Sequence, residues 1–173
     1  MSTILASFER LPQATKALCD SAITLARDDM RLLDLDSSMF LLAIINMGGS
    51  NESAKWLHGI GLRNGDIIRT IQKNFKKRVD EQLKDSWGDS HPVPAIVVFT
   101  NPANAMINRL AREAPQPTKT AEIALVLRAV VLSESKTVEQ IFASVGLRMR
   151  EVRMQLNIPS ISGLNRSRAV SRY

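Results

Sequence analysis

The residues that most often carry out chemistry are few in this chain, and they are not clustered. It has a single cysteine, Cys19, and two histidines, His58 and His91, with no Cys-x-x-Cys pair. A structural zinc site needs about four such ligands at close spacing, so no metal site is predicted. Cys19 lies beside an apolar helical stripe, with no nearby histidine to act as its base, so we expect a packed thiol. Asp34 and Asp36 could form a pair of carboxylates, but their position just before a predicted helix favours helix capping.

Nucleotide hydrolysis would require a phosphate-binding loop of the pattern G-x-x-x-x-G-K-[ST]. The nearest match runs from Gly49 to Trp56, but Ala54 replaces the second glycine and Trp56 replaces the hydroxyl residue. This stretch is better interpreted as the turn at the start of a helix. We therefore expect neither an enzyme nor a cofactor-binding protein, and the function should depend on binding.

The composition is typical of a globular protein, since 45% of the 173 residues are hydrophobic and 23% are charged. The formal net charge of +6 is compatible with nucleic-acid, anionic-lipid or acidic protein partners and does not choose among them. The longest apolar run, residues 39–45, is far shorter than the about 20 residues that cross a bilayer. The N-terminus lacks a signal-peptide pattern, and one cysteine allows no intramolecular disulfide. We expect a cytoplasmic protein with no membrane partner.

The elements that would position any site are helices. Apolar residues recur at helical spacing, and the alternation typical of strands is almost absent. Residues 39–45 are apolar on every side, which predicts a helix buried in the middle of a bundle. Asn51 should begin a short helix that Gly61 ends in a left-handed conformation. Residues 86–94 contain two prolines and a glycine, which break the helical pattern and predict a linker.

The second half carries the same kinds of signal. Asn101 is predicted to cap a helix with a proline in its first turn, and Pro115 and Pro117 should stop that helix. Thr120 should open the next helix, which is apolar nearly all round. Thr137 and the glutamate and glutamine that follow it predict a capping box for a short helix.

The two halves align with each other without a gap when Gly61-Leu-Arg63 is placed over Gly146-Leu-Arg148. Apolar positions then coincide: Leu42 falls on Leu127, Ile45 on Val130, Trp56 on Ile141, Leu57 on Phe142, Ile60 on Val145 and Ile67 on Val152. An internal repeat of this length implies that each unit buries an open apolar face against the other. We predict one all-α domain over residues 1–157, with pseudo-twofold symmetry and about eight helices.

In this prediction the first four-helix repeat covers about residues 8–85 and the second about residues 99–157. Residues 86–98 are the linker between them, and residues 158–173 form a basic tail.

Three segment types occur in order along the chain, and two of them occur twice. They are Phe8-Glu-Arg-Leu-Pro12 and Phe99-Thr-Asn-Pro-Ala103, the buried segment Ser37-Ser-Met-Phe-Leu-Leu-Ala-Ile-Ile45, and the two glycine-ended segments Ser53-Ala-Lys-Trp-Leu-His-Gly-Ile-Gly-Leu62 and Val138-Glu-Gln-Ile-Phe-Ala-Ser-Val-Gly-Leu147. Their duplicated order resembles the Clp N-terminal (Clp repeat) domain, which precedes the AAA+ motor of the ClpA, ClpB and ClpC unfoldases. The chain lacks the motor's phosphate loop, so the resemblance implies a stand-alone relative or a fragment.

The resemblance implies a non-catalytic protein-binding module that docks substrates or adaptors for a Clp unfoldase or its protease, or modulates it. The family's ligand columns fall on Ser38 and Met39 in the first repeat and on Ile123 and Ala124 in the second, where Glu122 lies one position away. Arg63 and Arg148 occupy the paired turns after the glycines. The candidate partner-binding residues are these five: Ser38, Met39, Arg63, Glu122 and Arg148. Relatives use a Glu-His pair at the first two columns, and the glutamates help bind phosphoarginine. Ser38 cannot supply that carboxylate.

Nucleic acid is the alternative partner, because the sequence of residues 137–156 also resembles a helix-turn-helix motif. Gly146 would lie in the turn, and Arg148, Arg150 and Arg153 would be available for phosphates or base edges. The position where that motif needs a small residue holds Phe142, which weakens this interpretation. The basic run at residues 73–78 is typical of the solvated face of an amphipathic helix.

Overall fold

The apolar periodicity folds into helices, as predicted. The computed structural model describes residues 2–87 and 97–158, with side chains described over residues 6–75 and 97–158. Within these ranges the chain forms nine α-helices and a single pair of two-residue strands. The predicted all-α, single-domain fold class is therefore confirmed.

Each repeat contains four helices in the predicted order. The first repeat consists of α2 (Gln13–Thr24, continued by a π-helical turn over Leu25–Asp29), α3 (Ser38–Ile45), α4 (Glu52–Gly59) and α5 (Asn64–Trp87). The second consists of α6 (Asn101–Leu110), α7 (Lys119–Val131), α8 (Lys136–Ala143) and α9 (Met149–Gln155). A further helix, α1 (Ser2–Glu9), precedes the first repeat and packs against α6.

The clearest sign of the duplication is the way in which α4 and α8 end. Gly61 and Gly146 both have positive φ angles, +97° and +80°. In each repeat the next amide donates a hydrogen bond of 3.1 Å to a carbonyl five residues earlier, from Leu62 to Leu57 and from Leu147 to Phe142. This is the Schellman arrangement, which glycine favours because it has no Cβ to strain the left-handed backbone. The predicted role of Gly61 is confirmed.

The core is centred on α3 and α7, which pack against each other. All eight residues of α3 are buried, as its uninterrupted apolar sequence predicts. In α7 the buried residues are Ile123, Val126, Leu127, Ala129, Val130 and Val131. The contacts outside this central pair are unequal, because α2 and α4 both pack against α7 while α6 and α8 pack much less against α3. The symmetry of the helix order therefore does not extend to the surface between the repeats.

Two features of the fold were not predicted. One is α1. The other is a parallel pairing of β1 (Asp34–Leu35) with β2 (Val98–Phe99). Two residues are too short for an alternating pattern to emerge, and the pairing depends on the packing of one repeat against the other.

Four predicted helix ends need correction. Helix α6 has Thr100 as its N-cap, so Asn101, the predicted cap, is instead the first residue of the helix. Helix α7 begins at Lys119, because Thr118 rather than Thr120 is its N-cap. Helix α8 begins at Lys136 with Ser135 as its cap, so Thr137 lies inside the helix and is buried. Helix α6 ends at Leu110, before either Pro115 or Pro117 is reached.

The predicted linker lies largely outside the described residues, apart from the end of α5 at Trp87 and β2. The predicted tail also lies outside them, apart from Ile158, which is buried. Among the helices of the described part, none combines the length and the apolar character that crossing a membrane requires.

Candidate functional site

A cleft lies between the first helix of repeat one and the central helix of repeat two, and we call it the α2–α7 cleft. Its volume is about 410 Å³. The lining residues are Gln13, Ala14, Ala17, Gln116, Pro117, Thr118, Lys119 and Glu122. The alanines of α2 are short, and this leaves space above the helix surface. The opposite wall is the loop before α7 together with the first turns of that helix.

The start of α7 is fixed by Thr118, whose Oγ1 accepts a hydrogen bond of 3.1 Å from the amide of Ala121. This cap places Glu122 in the first turn of α7, close to the positive end of the helix dipole, which favours a carboxylate. The Oε2 atom of Glu122 is buried and has no hydrogen-bond partner. A buried acceptor without a partner carries a desolvation cost of about 1–3 kcal/mol that a donor brought by a ligand would offset.

Glu122 is the only one of the five candidate partner-binding residues that lines this cleft. Ser38 and Met39 lie in α3 and are fully buried, with relative exposures of 0%. Their side chains form part of the core and do not reach the surface of the described protein. The Oγ atom of Ser38 is also buried without a partner. The sequence could not distinguish a ligand column from a core column here, because both fall on the same apolar helix.

Arg63 and Arg148 are exposed, as expected for residues in the turns after the glycines. Arg63 Nη1 donates hydrogen bonds to the carbonyl oxygens of His58 and Leu62, at 3.1 and 3.0 Å. Of these two acceptors, His58 lies in the last turn of α4 and its carbonyl also accepts from the amide of Gly61, whereas Leu62 follows the helix. Arg148 is the N-cap of α9, and its amide donates to Glu151 Oε2 at 2.8 Å. Neither arginine is part of the α2–α7 cleft.

A second polar feature is a buried junction around Asp36, which is 3% exposed. Asp36 Oδ2 accepts a hydrogen bond of 3.1 Å from the amide of Ser38, the first residue of α3. The N-cap of α3 is Ser37, and Asp34 lies in β1, so the prediction that Asp34 and Asp36 are helix caps is wrong. Asp36 Oδ2 also accepts from Ser135 Oγ at 2.7 Å, and Oδ1 accepts from Thr100 Oγ1 at 2.9 Å. Thr100 and Ser135 are the N-caps of α6 and α8. The N-termini of three helices therefore meet at one carboxylate, and their dipoles stabilise its charge.

Ser37 Oγ and Ser133 Oγ form a further buried hydrogen bond of 2.7 Å between the repeats. Sequence reasoning missed these cross-repeat bonds. The available signal was that hydroxyl residues precede α6 and α8, but a cap residue does not reveal which distant group will share its hydroxyl. All the oxygens in this junction are engaged by protein groups, so its role is structural.

Cys19 is buried, as expected from its place beside the apolar stripe of α2. Burial, together with the nearby charge of Asp20, raises the pKa of the Cys19 thiol to about 12. It is therefore protonated near neutral pH and is a poor nucleophile. In the described ranges, no group of three or more histidine, cysteine, aspartate or glutamate side chains is arranged to hold a metal ion.

The alternative motif does form two helices joined by a turn, α8 and α9, with Gly146 in the turn. Arg148 and Arg150 are exposed, whereas Arg153 is only partly exposed. Helix α9 has only seven residues. The side chain of Asn74 in α5 donates to Thr137 Oγ1 and Gln140 Oε1 at 2.8 and 2.9 Å, so α5 covers part of α8.

No family model matches the sequence, and no match to it was found among the curated proteins.

Proposed function

We propose that the protein is a non-catalytic protein-binding module of the Clp N-terminal type, which holds an extended segment of a substrate or adaptor in the α2–α7 cleft for a Clp unfoldase or its protease. The observation that carries this proposal is the buried, unpartnered Oε2 of Glu122 in the wall of that cleft. The duplicated helix order and the paired Schellman ends support it, since they match the arrangement that the resemblance implies.

The cleft has the chemistry to bind an extended segment with a basic side chain. Glu122 would accept a hydrogen bond from a lysine or arginine of the partner, and bonds of this type are about twice as strong as neutral ones. The amides of Gln13 and Gln116 can donate to and accept from a peptide main chain. The alanines of α2 offer an apolar floor for neighbouring side chains.

Site-specific photocrosslinking tests this proposal in cells. A photoreactive residue at Lys119, which lines the cleft, is compared with one at Arg112, which is exposed near the end of α6 and outside the cleft. We expect the Lys119 probe to capture a Clp unfoldase, a Clp protease subunit, an adaptor or a defined client, and Glu122→Gln to reduce that capture. Equal capture from both positions, or capture that does not change with Glu122→Gln, would overturn the proposal.

DNA binding through α8 and α9 is the second candidate, and the exposure of Arg148 and Arg150 at the start of α9 favours it. An electrophoretic mobility assay distinguishes the two candidates. If DNA is the ligand, affinity should fall steeply with salt, and Arg148→Gln and Arg150→Gln should each reduce the salt dependence. Glu122→Gln should leave DNA binding unchanged, whereas it should weaken binding to a peptide segment.

A further inference from the structure

A second cavity lies at the C-terminal end of α7, where α8 and α9 begin. Its volume is about 180 Å³, and its lining residues are Val131, Glu134, Ser135, Glu139, Met149 and Arg153. It shares no residue with the α2–α7 cleft. Pockets for larger ligands are about 300–1,000 Å³, so this cavity suits a much smaller molecule.

Side chains of both charge signs line this cavity without pairing with each other. Glu134 and Glu139 are anionic and Arg153 is cationic, yet among the described residues none of the three forms an ion pair or a side-chain hydrogen bond. Glu134 and Glu139 are exposed to solvent, whereas Arg153 is only partly exposed and its buried Nε is a donor without an acceptor.

The other lining residues define what a ligand meets. The hydroxyl of Ser135 donates to Asp36 and accepts from the amide of Val138, so it is already engaged. Val131 and Met149 are apolar and exclude water from part of the wall, which strengthens any charge interaction inside. Recognition of a ligand here therefore depends on the glutamates and the arginine.

We infer that this cavity binds a small zwitterion of the α-amino acid class. The ammonium group of the ligand lies towards Glu134 and Glu139, and its carboxylate accepts hydrogen bonds from the guanidinium of Arg153. Both are charge-assisted hydrogen bonds, the stronger kind in proteins. The arginine would repel a ligand that carries only a positive charge, and the two glutamates would repel a ligand that carries only a negative charge. A molecule with both charges is therefore favoured over either.

Calorimetric titration of the full chain with L-alanine and L-serine tests this inference. Two analogues serve as matched ligands, since alaninamide lacks the carboxylate and N-acetylalanine lacks the ammonium group. We expect saturable binding of a free amino acid and at least about tenfold weaker binding of both analogues, which is the loss of one charge-assisted hydrogen bond. Absence of saturable binding, or equal binding of an analogue, would overturn the inference.

Variants locate the site. Arg153→Gln should weaken amino-acid binding about tenfold, whereas Arg150→Gln on the same helix should leave it unchanged because Arg150 does not line the cavity. Glu134→Gln provides a second variant at an exposed position, in case Arg153→Gln impairs folding. Binding that survives both Arg153→Gln and Glu134→Gln would place it elsewhere and contradict the inference. Since these residues lie outside the α2–α7 cleft, this outcome is independent of the proposed function.

Discussion

The carboxylate of Asp36 in the first repeat accepts a hydrogen bond of 2.7 Å from the hydroxyl of Ser135 in the second. Ser135 is at the same time the N-cap of α8, because its Oγ accepts from the amide of Val138. A single hydroxyl therefore joins the start of α8 to the start of α3. The same carboxylate also accepts a hydrogen bond from the hydroxyl of Thr100, which is the N-cap of α6. The buried junction therefore connects the two repeats.

Replacing Asp36 with alanine should lower the free energy of unfolding by about 2–4 kcal/mol. The substitution removes three hydrogen bonds and leaves two cap hydroxyls partly unsatisfied in a buried place. Urea denaturation followed by circular dichroism measures the change. Asp20→Ala is the matched control, because Asp20 is exposed on α2, and it should change stability by less than about 0.5 kcal/mol. Equal effects of the two substitutions would show that the junction contributes nothing.

Alanine at Gly61 or at Gly146 should each cost about 1 kcal/mol of stability, because both glycines have positive φ angles. At Gly61 the cost would be backbone strain rather than a clash, since a Cβ there would lie 3.9 Å from Val145 Cγ1, an ordinary contact. Gly59→Ala provides the control, because Gly59 has open space and lies within α4. It should be neutral or stabilising in thermal unfolding. A destabilising Gly59→Ala with neutral changes at the other two glycines would contradict this account of the repeat ends.

Truncation of Phe142 to alanine should cost about 3–5 kcal/mol, since this side chain is fully buried. Its ring lies 6.3 Å from that of Trp56, so it also connects α8 to α4 across the repeats. Met154→Ala removes an apolar side chain that is 67% exposed, and its cost should stay below about 0.5 kcal/mol. Chemical denaturation of the two variants gives the comparison, and similar midpoints would be inconsistent with the packing described.

Cys19 should resist alkylation in the native protein near neutral pH, because burial and the charge of Asp20 raise its pKa to about 12. Labelling by iodoacetamide should become rapid only when the protein is unfolded by denaturant. The raised pKa also makes the free energy of unfolding depend on pH. Because the thiol ionises at a lower pH in the unfolded chain than in the folded protein, its contribution to stability is present below pH 9 and is lost as pH rises towards 12. Rapid native labelling at pH 7 would mean that the thiol is accessible.

The parts of the fold that could be predicted from the sequence are those with local causes. The apolar run of α3 identifies a buried helix, and the glycines of the two turns identify helix ends, because each signal lies within a few residues of its effect. The partners of Asp36 could not be predicted, since Thr100 and Ser135 come close to it only when the repeats pack together.

The same distinction applies to the candidate site. Glu122 lies at the surface of a cleft and Ser38 in the core, although the family resemblance points to both. Their exposure is decided only when the helices pack together, and the sequence repeat does not encode it visibly.

Binding of short extended peptides to the full chain tests the central claim most directly. An array of peptides with and without lysine or arginine identifies the best binder, and fluorescence anisotropy then compares the native protein with Glu122→Gln and with Glu113→Gln, an exposed glutamate outside the cleft. We predict that a basic peptide binds and that Glu122→Gln weakens it about tenfold, the loss of one charge-assisted hydrogen bond, while Glu113→Gln does not. No peptide binding, or equal loss in both variants, would contradict the claim that the α2–α7 cleft is a protein-binding site.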